Sequence, residues 1–165
     1  MRGPSLFIAV LLTFCPVAAL AEGDADSVAK ARSCIEARGV AACTTVLGHC
    51  DPVSGFERRR GCAEAIAASW ELVLQSYLSE MQVAADAFDA ANNRDNDPPL
   101  ADLITREQEA WANFRAASCA IELGGERIVT GPEEGAAYCK TGMTLQRLTE
   151  IEARTRFFAD YVGEK

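Results

Sequence analysis

The chain has 165 residues, of which 24 are acidic, 16 are Lys or Arg and one is histidine, so its formal net charge is −8 at neutral pH. This balance disfavours nucleic acid and anionic membranes as partners, because both repel a negative protein, and it suits a basic partner. One histidine cannot build a histidine metal cluster. The sequence also lacks a phosphate-binding glycine loop, a G-x-S-x-G motif and a zinc-binding helix motif. We therefore predict a protein that is not an enzyme, holds no metal or cofactor and binds no nucleic acid.

The first 21 residues have the layout of a cleavable secretory signal. Arg2 gives a positive start, residues 6–17 are largely apolar, and residues 19–21 (Ala-Leu-Ala) fit the cleavage rule. Acylation of Cys15, as in a lipoprotein, is disfavoured because Phe14 stands where a small residue is needed. We predict a periplasmic or extracellular protein with no membrane span after cleavage. Loss of Arg2 takes the formal charge from −8 to −9.

Cleavage also removes Cys15 and leaves an even number of cysteines, which suggests three disulfides in an oxidising compartment. The six that remain are Cys34, Cys43, Cys50, Cys62, Cys119 and Cys139. Cys119 and Cys139 flank the last loop and are expected to join two helix ends. Two pairings stay open for the other four cysteines. Cys34–Cys43 with Cys50–Cys62 is preferred, and Cys34–Cys62 with Cys43–Cys50 is its main competitor.

A short cysteine-rich helical hairpin is predicted within residues 22–56. Its arms are helical patterns over residues 28–38 and 40–47, which end at Gly39 and Gly48. Cys34 lies on one arm and Cys43 on the other, so a cross-link between the arms is geometrically reasonable.

The next helix has the strongest periodic pattern. Ser54-x-x-Glu57 matches a capping box at its start. Apolar residues then recur in heptad steps of three and four as far as about residue 91, so this long helix needs partner helices along its whole length. The stripe consists of Cys62, Ile66, Trp70, Val73, Tyr77, Met81, Ala84 and Phe88.

Two further long helices follow. Asp97 can cap the first of them, with Pro98 at its first position, and Gly124-Gly125 ends it. Thr130-x-x-Glu133 with Pro132 opens the second. The inward residues predicted for the first are Leu100, Ile104, Trp111, Phe114 and Ile121, and those for the second are Tyr138, Leu145, Leu148, Ile151, Phe158 and Val162.

The predicted fold is therefore all-α, with three long helices in an up-down-up bundle preceded by the disulfide-stapled hairpin. Adjacent carboxylates such as Glu133 and Glu134 are expected on a solvated face or as partners of a helix dipole. The triplet of residues 58–60, all arginine, is expected to form ion pairs with neighbouring helices.

Polar residues on the apolar stripes of the last two helices predict a buried network. Gln108, Arg115 and Arg147 lie on or beside these stripes, and Thr144 is close to them in the pattern. A buried arginine is tolerated only when it is paired and hydrogen-bonded. The predicted role is to fix the register of the bundle.

The same residues carry a family resemblance. The strings Q-x-x-W-x-x-F-R-x-x-x-C, a double glycine and C-x-x-x-x-T-x-x-R resemble the LprI-type lysozyme inhibitor N-terminal domain family. The motif residues, with Cys119 and Cys139, are Gln108, Trp111, Phe114, Arg115, Gly124, Gly125, Thr144 and Arg147. The resemblance covers residues 57–152 and leaves 153–165 as a helix end and tail. The N-terminal hairpin departs from the family pattern, as does Glu126 after the double glycine.

The resemblance implies an exported protein that binds and blocks a basic c-type lysozyme. A periplasmic structural or envelope-interaction protein with the same domain and no inhibition is the alternative. Within the inhibitor reading, the disulfide-closed loop with Arg127, Ile128 and Val129 is the candidate partner-binding loop, because a closed loop loses less entropy on binding.

Overall fold

The structure, a computed structural model, describes residues 22–92, 97–125 and 132–163. Regular structure in these ranges is helical throughout, which confirms the predicted all-α class. Helix α1 spans Glu22–Arg38, a 3-10 turn spans Val40–Cys43, and the long helices are α2 (Phe56–Asn92), α3 (Leu100–Gly125) and α4 (Pro132–Gly163). None of the described helices is both long and apolar enough to cross a membrane. The predicted signal segment, residues 1–21, lies outside the described residues.

The N-terminal hairpin is less regular than predicted. Helix α1 begins at Glu22 rather than at residue 28, and the second arm is a 3-10 turn rather than a helix over residues 40–47. Only Val40 and Cys43 of this arm are buried, so little packing holds a longer helix in place. Gly39, with φ of 78°, makes the reversal, because a left-handed backbone suits glycine.

Helix α1 buries Ala31 and Ile35 in the core, and one of its arginines also links it to α2. Arg32 forms a 2.6 Å ion pair with Glu80, donates a hydrogen bond to Ser76, and places its guanidinium carbon 4.7 Å from the centre of the Tyr77 ring. Burial raises the pKa of Tyr77, although the positive charge of Arg32 opposes that shift.

The disulfides follow the preferred pairing. Cys34 bonds Cys43, Cys50 bonds Cys62, and Cys119 bonds Cys139, with Cα–Cα distances of 5.9, 5.8 and 5.5 Å. The first closes the hairpin, the second ties the hairpin to the first turns of α2, and the third joins the end of α3 to the start of α4. The competing pairing of the four N-terminal cysteines does not occur.

The start of α2 corrects the predicted capping box. The Ser54 hydroxyl donates to the carbonyl oxygen of Asp51 at 2.8 Å instead of accepting from a helix amide. Glu57 pairs with Arg60 one turn along the helix instead of reaching back. The amides of Arg58 and Arg59, the third and fourth residues of α2, donate to the carbonyl oxygen of Gly55. The local turn over residues 51–54 thus takes the hydroxyl that the capping box would have used.

The buried surface of α2 is broader than the predicted stripe. Trp70, Val73, Tyr77 and Met81 are buried as expected. Three more residues are buried beside them, namely Leu74, Leu78 and Ala85. The reason is that α2 contacts α1, α3 and α4, most extensively α4, so it needs apolar surface on more than one side.

Helix α3 begins two residues later than predicted. The amide of Leu100 donates to Asp89 Oδ2 of α2 at 2.6 Å, so a carboxylate of α2 caps the first residue of this helix. Ile104 is buried as predicted. Phe114 and Ile121, by contrast, are exposed by 62% and 74%, which corrects their assignment to the inward face. Going along the helix from Trp111, that face continues through Arg115 and Cys119 in steps of four residues.

Helix α4 carries the other half of the core. Leu148 and Ile151 are fully buried, and Leu145 and Phe158 pack against the core cluster. Tyr138 is exposed rather than inward. Its predicted place is taken by Ala136 and Ala137, which are buried because α2 packs against this turn.

Candidate functional site

Arg115 joins the three long helices. It lies on α3, and its Nη1 donates to the carboxylate of Glu71 on α2 and to Oγ1 of Thr144 on α4, the latter at 2.7 Å. Thr144 is buried and the Arg115 side chain is mostly buried. One guanidinium therefore fixes the relative position of α2, α3 and α4 at this height of the bundle.

Arg147 makes a second cross-link one turn away. Its side chain is only 3% exposed. Its Nε donates to Gln108 Oε1 at 3.2 Å, and its Nη1 lies 3.0 Å from both Glu107 Oε1 and Glu150 Oε2. Its Nη2 is buried with no hydrogen-bond partner in the described part of the chain. The two carboxylates are nearly half exposed, so the buried member of this cluster is the arginine.

Trp111 lies close to both arginines. The guanidinium carbons of Arg115 and Arg147 are 4.5 and 5.8 Å from the centre of its indole ring. A cation over an aromatic face contributes about 0.5–2 kcal/mol, more when water is excluded. The structure thus contains the polar network predicted from the sequence, with Trp111 and three glutamates added to it. We call this set the arginine–tryptophan network, and its members are Glu71, Glu107, Gln108, Trp111, Arg115, Thr144, Arg147 and Glu150.

Glu107 is the carboxylate that bridges Arg147 and Arg154. Burial opposes its ionisation, but hydrogen bonds and positive charge from Arg154 and Arg147 outweigh burial and hold the pKa of Glu107 below its usual value. The carboxylate therefore stays ionised through mild acid, and it bridges an interior arginine and a surface one.

A second buried ion pair ties the hairpin end of α2 to α4. Arg59 Nε lies 3.3 Å from Glu134 Oε2, and the Glu134 side chain is only 3% exposed. This confirms for Arg59 the expectation that the arginine triplet pairs with a neighbouring helix, whereas Arg60 pairs with Glu57 of its own helix. Of the two alternatives predicted for Glu134, a solvated face is wrong because the side chain is buried, whereas its place in the first turn of α4 fits a partner of the helix dipole. Tyr138 lies next to this pair, and its pKa is raised by partial burial and by the charge and hydrogen bonding of Glu134.

An open groove lies between α2 and the first turns of α4, beside Arg115. Its volume is about 730 Å³. The lining residues are Glu64, Ala67, Ala68, Glu71, Arg115, Glu133, Ala136, Ala137 and Lys140. We call it the alanine groove. Among the described residues, neither Glu64 nor Glu133 has an ion-pair partner. The groove thus offers room over a floor of small side chains and two free carboxylates, which suits a long basic side chain.

The motif residues therefore divide into two groups. Gln108, Trp111, Arg115, Thr144 and Arg147 meet in the network, and Cys119 and Cys139 are bonded. Phe114 points away from all of them. Gly124 and Gly125 form the end of α3. The candidate binding loop of Arg127, Ile128 and Val129 lies outside the described residues. Within the described part, no group of three His, Cys, Asp or Glu side chains is placed to hold a metal ion.

Two features of the site have no clear signal in the sequence. Glu134 looked like one of several surface glutamates, and only the position of Arg59 on another helix explains its burial. The alanine groove is formed by alanines of α2 and α4 that are more than sixty residues apart in the chain. Local periodicity does not reveal such a contact.

These observations define a small helical domain, cross-linked by disulfides and held in register by the arginine–tryptophan network. The model of the LprI family, described as lysozyme inhibitor LprI, matches residues 50–151 of this chain. The chain therefore belongs to the LprI lysozyme inhibitor family, which is a family of inhibitors rather than enzymes. The match includes Cys50 and omits both Cys34 and Cys43. No curated protein and no solved structure matches the chain.

Proposed function

We propose that this protein is exported, loses residues 1–21, and binds and blocks a basic c-type lysozyme. The observation that carries the proposal is the family match over residues 50–151. Three disulfides in a chain of this size support export, since such bonds persist in oxidising compartments.

Charge supports the choice of a basic target. The formal charge is −8, or −9 after loss of Arg2. An acidic protein is steered toward a basic one, and this raises the association rate at low salt more than it changes the strength of the final contacts. Inhibition by this protein is therefore expected to weaken as salt is added.

Two places can supply local contacts. The alanine groove can take an arginine or lysine side chain of the enzyme between Glu64 and Glu133. The loop with Arg127 and Ile128 can place a cation near the catalytic carboxylates of the enzyme and an apolar side chain on its surface. Both are proposals about where the contact is made, and they are tested separately.

The first experiment measures inhibition directly. Purified, oxidised protein without residues 1–21 is titrated into a c-type lysozyme assay of cell-wall lysis, at about 0.01 and 0.15 M salt, where screening lengths are about 30 and 8 Å. We expect inhibition at micromolar protein that weakens at the higher salt. Absence of inhibition at both salt concentrations would refute the proposal for this enzyme class and favour the envelope-interaction alternative.

The second experiment separates local contact from overall charge. Glu64→Gln with Glu133→Gln removes two negative charges from the alanine groove, and Asp102→Asn with Glu109→Gln removes two from the exposed surface of α3. If the groove is a contact, only the first pair weakens inhibition at about 0.15 M salt by roughly tenfold, as expected for lost charge-assisted hydrogen bonds. Equal effects from both pairs would show that the groove is not a contact.

The third experiment addresses the loop. Arg127→Ala with Ile128→Ala is compared with the unchanged protein in the same assay. Unchanged potency would exclude the loop as the inhibitory contact.

A further inference from the structure

The outer surface of α3 is unusual for this protein because it carries no charge over three helical turns. The residues that form it are Ala110, Asn113, Phe114, Ala116, Ala117, Ala120 and Ile121, and every one of them is exposed. Arg115, the single charged residue of the segment, is turned into the arginine–tryptophan network. We call this surface the outer face of α3. Exposed contiguous apolar surface of this kind is typical of an interaction site.

The apolar residues of this face follow a heptad rhythm. Ala110, Phe114, Ala117 and Ile121 are separated by four, three and four residues, so they form one line along the helix. Large and small side chains alternate along the line. A heptad line of this type packs against another helix, and no helix in the described part of the chain covers it.

The line is complementary to itself when two copies run antiparallel. If the two-fold axis passes between Arg115 and Ala116, Phe114 of one copy lies opposite Ala117 of the other. In the same register Ile121 lies opposite Ala110. Each large side chain thus meets a small one, which is the arrangement that fills space without overlap. An interface between identical copies requires this self-complementarity.

We propose that the protein forms a homodimer in which the outer faces of two α3 helices pack antiparallel with Phe114 against Ala117 and Ile121 against Ala110. Charge identifies the occupant as a second copy. A basic partner such as lysozyme is attracted by carboxylates, and this face has none. Two copies with a charge of −8 repel each other least where their surfaces are uncharged.

The area of the outer face of α3 sets the expected affinity of the dimer. Seven exposed side chains, most of them small, bury roughly 500 Å² per copy, or about 1,000 Å² in total, which is at the low end of specific interfaces. We therefore expect a dimer that dissociates in the micromolar range or above. Salt screens the repulsion between the copies, so dimerisation strengthens from about 0.01 to 0.15 M salt. Lysozyme binding, in contrast, is expected to weaken as salt is added.

The test is analytical ultracentrifugation of the oxidised protein without residues 1–21, up to about 0.2 mM, which covers weak interfaces of this size. We expect concentration-dependent dimers. Ala117→Glu, an exposed change that puts charge at the centre of the face, abolishes them. Val83→Glu, on α2 at a site 68% exposed, is the matched control and leaves them intact. A monomer at every concentration and both salt levels would overturn the proposal, and so would dimers that persist in Ala117→Glu.

A large-to-small exchange tests the register. Phe114→Ala alone weakens the dimer by about tenfold or more because apolar area is lost from both copies, and Ala117→Phe alone weakens it by setting two rings against each other. The double variant, Phe114→Ala with Ala117→Phe, restores the large-to-small match and the dimer. A double variant weaker than both single variants would refute this pairing. The proposal is independent of lysozyme inhibition, which Ala117→Glu is expected to leave unchanged.

Discussion

Replacing Arg59 with methionine tests the buried ion pair between α2 and α4. Methionine keeps most of the apolar volume of the side chain but removes the cation 3.3 Å from Glu134 Oε2. The Glu134 side chain is 3% exposed, so its charge cannot be solvated in place of the lost partner. Breaking a buried pair from one side costs about 3–5 kcal/mol, because the remaining charge is left uncompensated.

Protonation sets an upper limit to this cost. A carboxylate that loses its partner can become neutral, at about 1.4 kcal/mol for each pH unit above the ordinary glutamate pKa of about 4.3. The limit is therefore about 3.7 kcal/mol at pH 7 and about 1 kcal/mol at pH 5. In the variant the folded state binds a proton that the unfolded state releases, so the stability of the variant rises as pH falls and is lost as pH rises.

Urea unfolding followed by helical circular dichroism, with the disulfides intact, measures both effects. We expect Arg59→Met to lower the free energy of unfolding by about 3 kcal/mol at pH 7 and about 1 kcal/mol at pH 5. Adding Glu134→Gln to the variant recovers much of the loss at pH 7 and removes its pH dependence. Arg60→Met is the control, since its pair with Glu57 is exposed and changes stability by at most about 0.5 kcal/mol. A loss below about 1 kcal/mol at pH 7, or one equal at both pH values, refutes the reasoning.

Three further predictions concern stability. Trp111→Ala is expected to cost about 3 kcal/mol and Trp111→Phe about 1 kcal/mol, measured by urea unfolding, because phenylalanine retains an aromatic face close to the two guanidinium groups. Cys119→Ser with Cys139→Ser opens a loop with a sequence separation of 20 and is expected to cost about 3 kcal/mol, read as a lower melting temperature. The pKa of Glu107 is lowered in the folded state, so its contribution is present above the unfolded pKa of about 4.3 and is lost as pH falls through the folded value. Glu107→Gln should therefore flatten the stability curve between about pH 5 and 3, and an unchanged slope there contradicts the assignment.

The sequence predicted the parts of the fold that depend on local pattern. The α2 stripe from Trp70 to Met81 and the end of the bundle closed by Cys119 and Cys139 are in the structure as expected. The sequence also predicted partners for Arg115 and Arg147, because a buried arginine must be paired and hydrogen-bonded. In the structure each arginine has its own hydrogen-bond partners, and both lie near Trp111. These predictions held because each rests on helical spacing, which is fixed by geometry.

The wrong predictions arose where helical spacing allows either of two residues to face inward. From Trp111 the inward face can continue three residues on to Phe114 or four residues on to Arg115, and hydrophobicity favours the phenylalanine. In the structure the arginine faces inward, because its guanidinium has hydrogen-bond partners on two helices and lies close to the Trp111 ring. The capping role predicted for Ser54 is wrong for a similar reason, because the carbonyl oxygen of Asp51 in the same turn takes the hydrogen bond from its hydroxyl. Tertiary contacts decide which side chain faces inward, and the periodicity of the sequence carries no information about those contacts.

Most residues of the family motif lie in the interior, so membership in the family says more about the fold than about the target. Gln108, Trp111, Arg115 and Arg147 contact one another in the interior, where they hold three helices in register and present little to a partner. A protein can keep all of them, and therefore the fold, while its surface changes freely. Phe114 is the exception, because it belongs to the same string yet stands on the surface. Target choice must then be carried by surface positions such as the alanine groove and the loop at residues 127–129, so experiments that change only these surfaces can separate inhibition from folding.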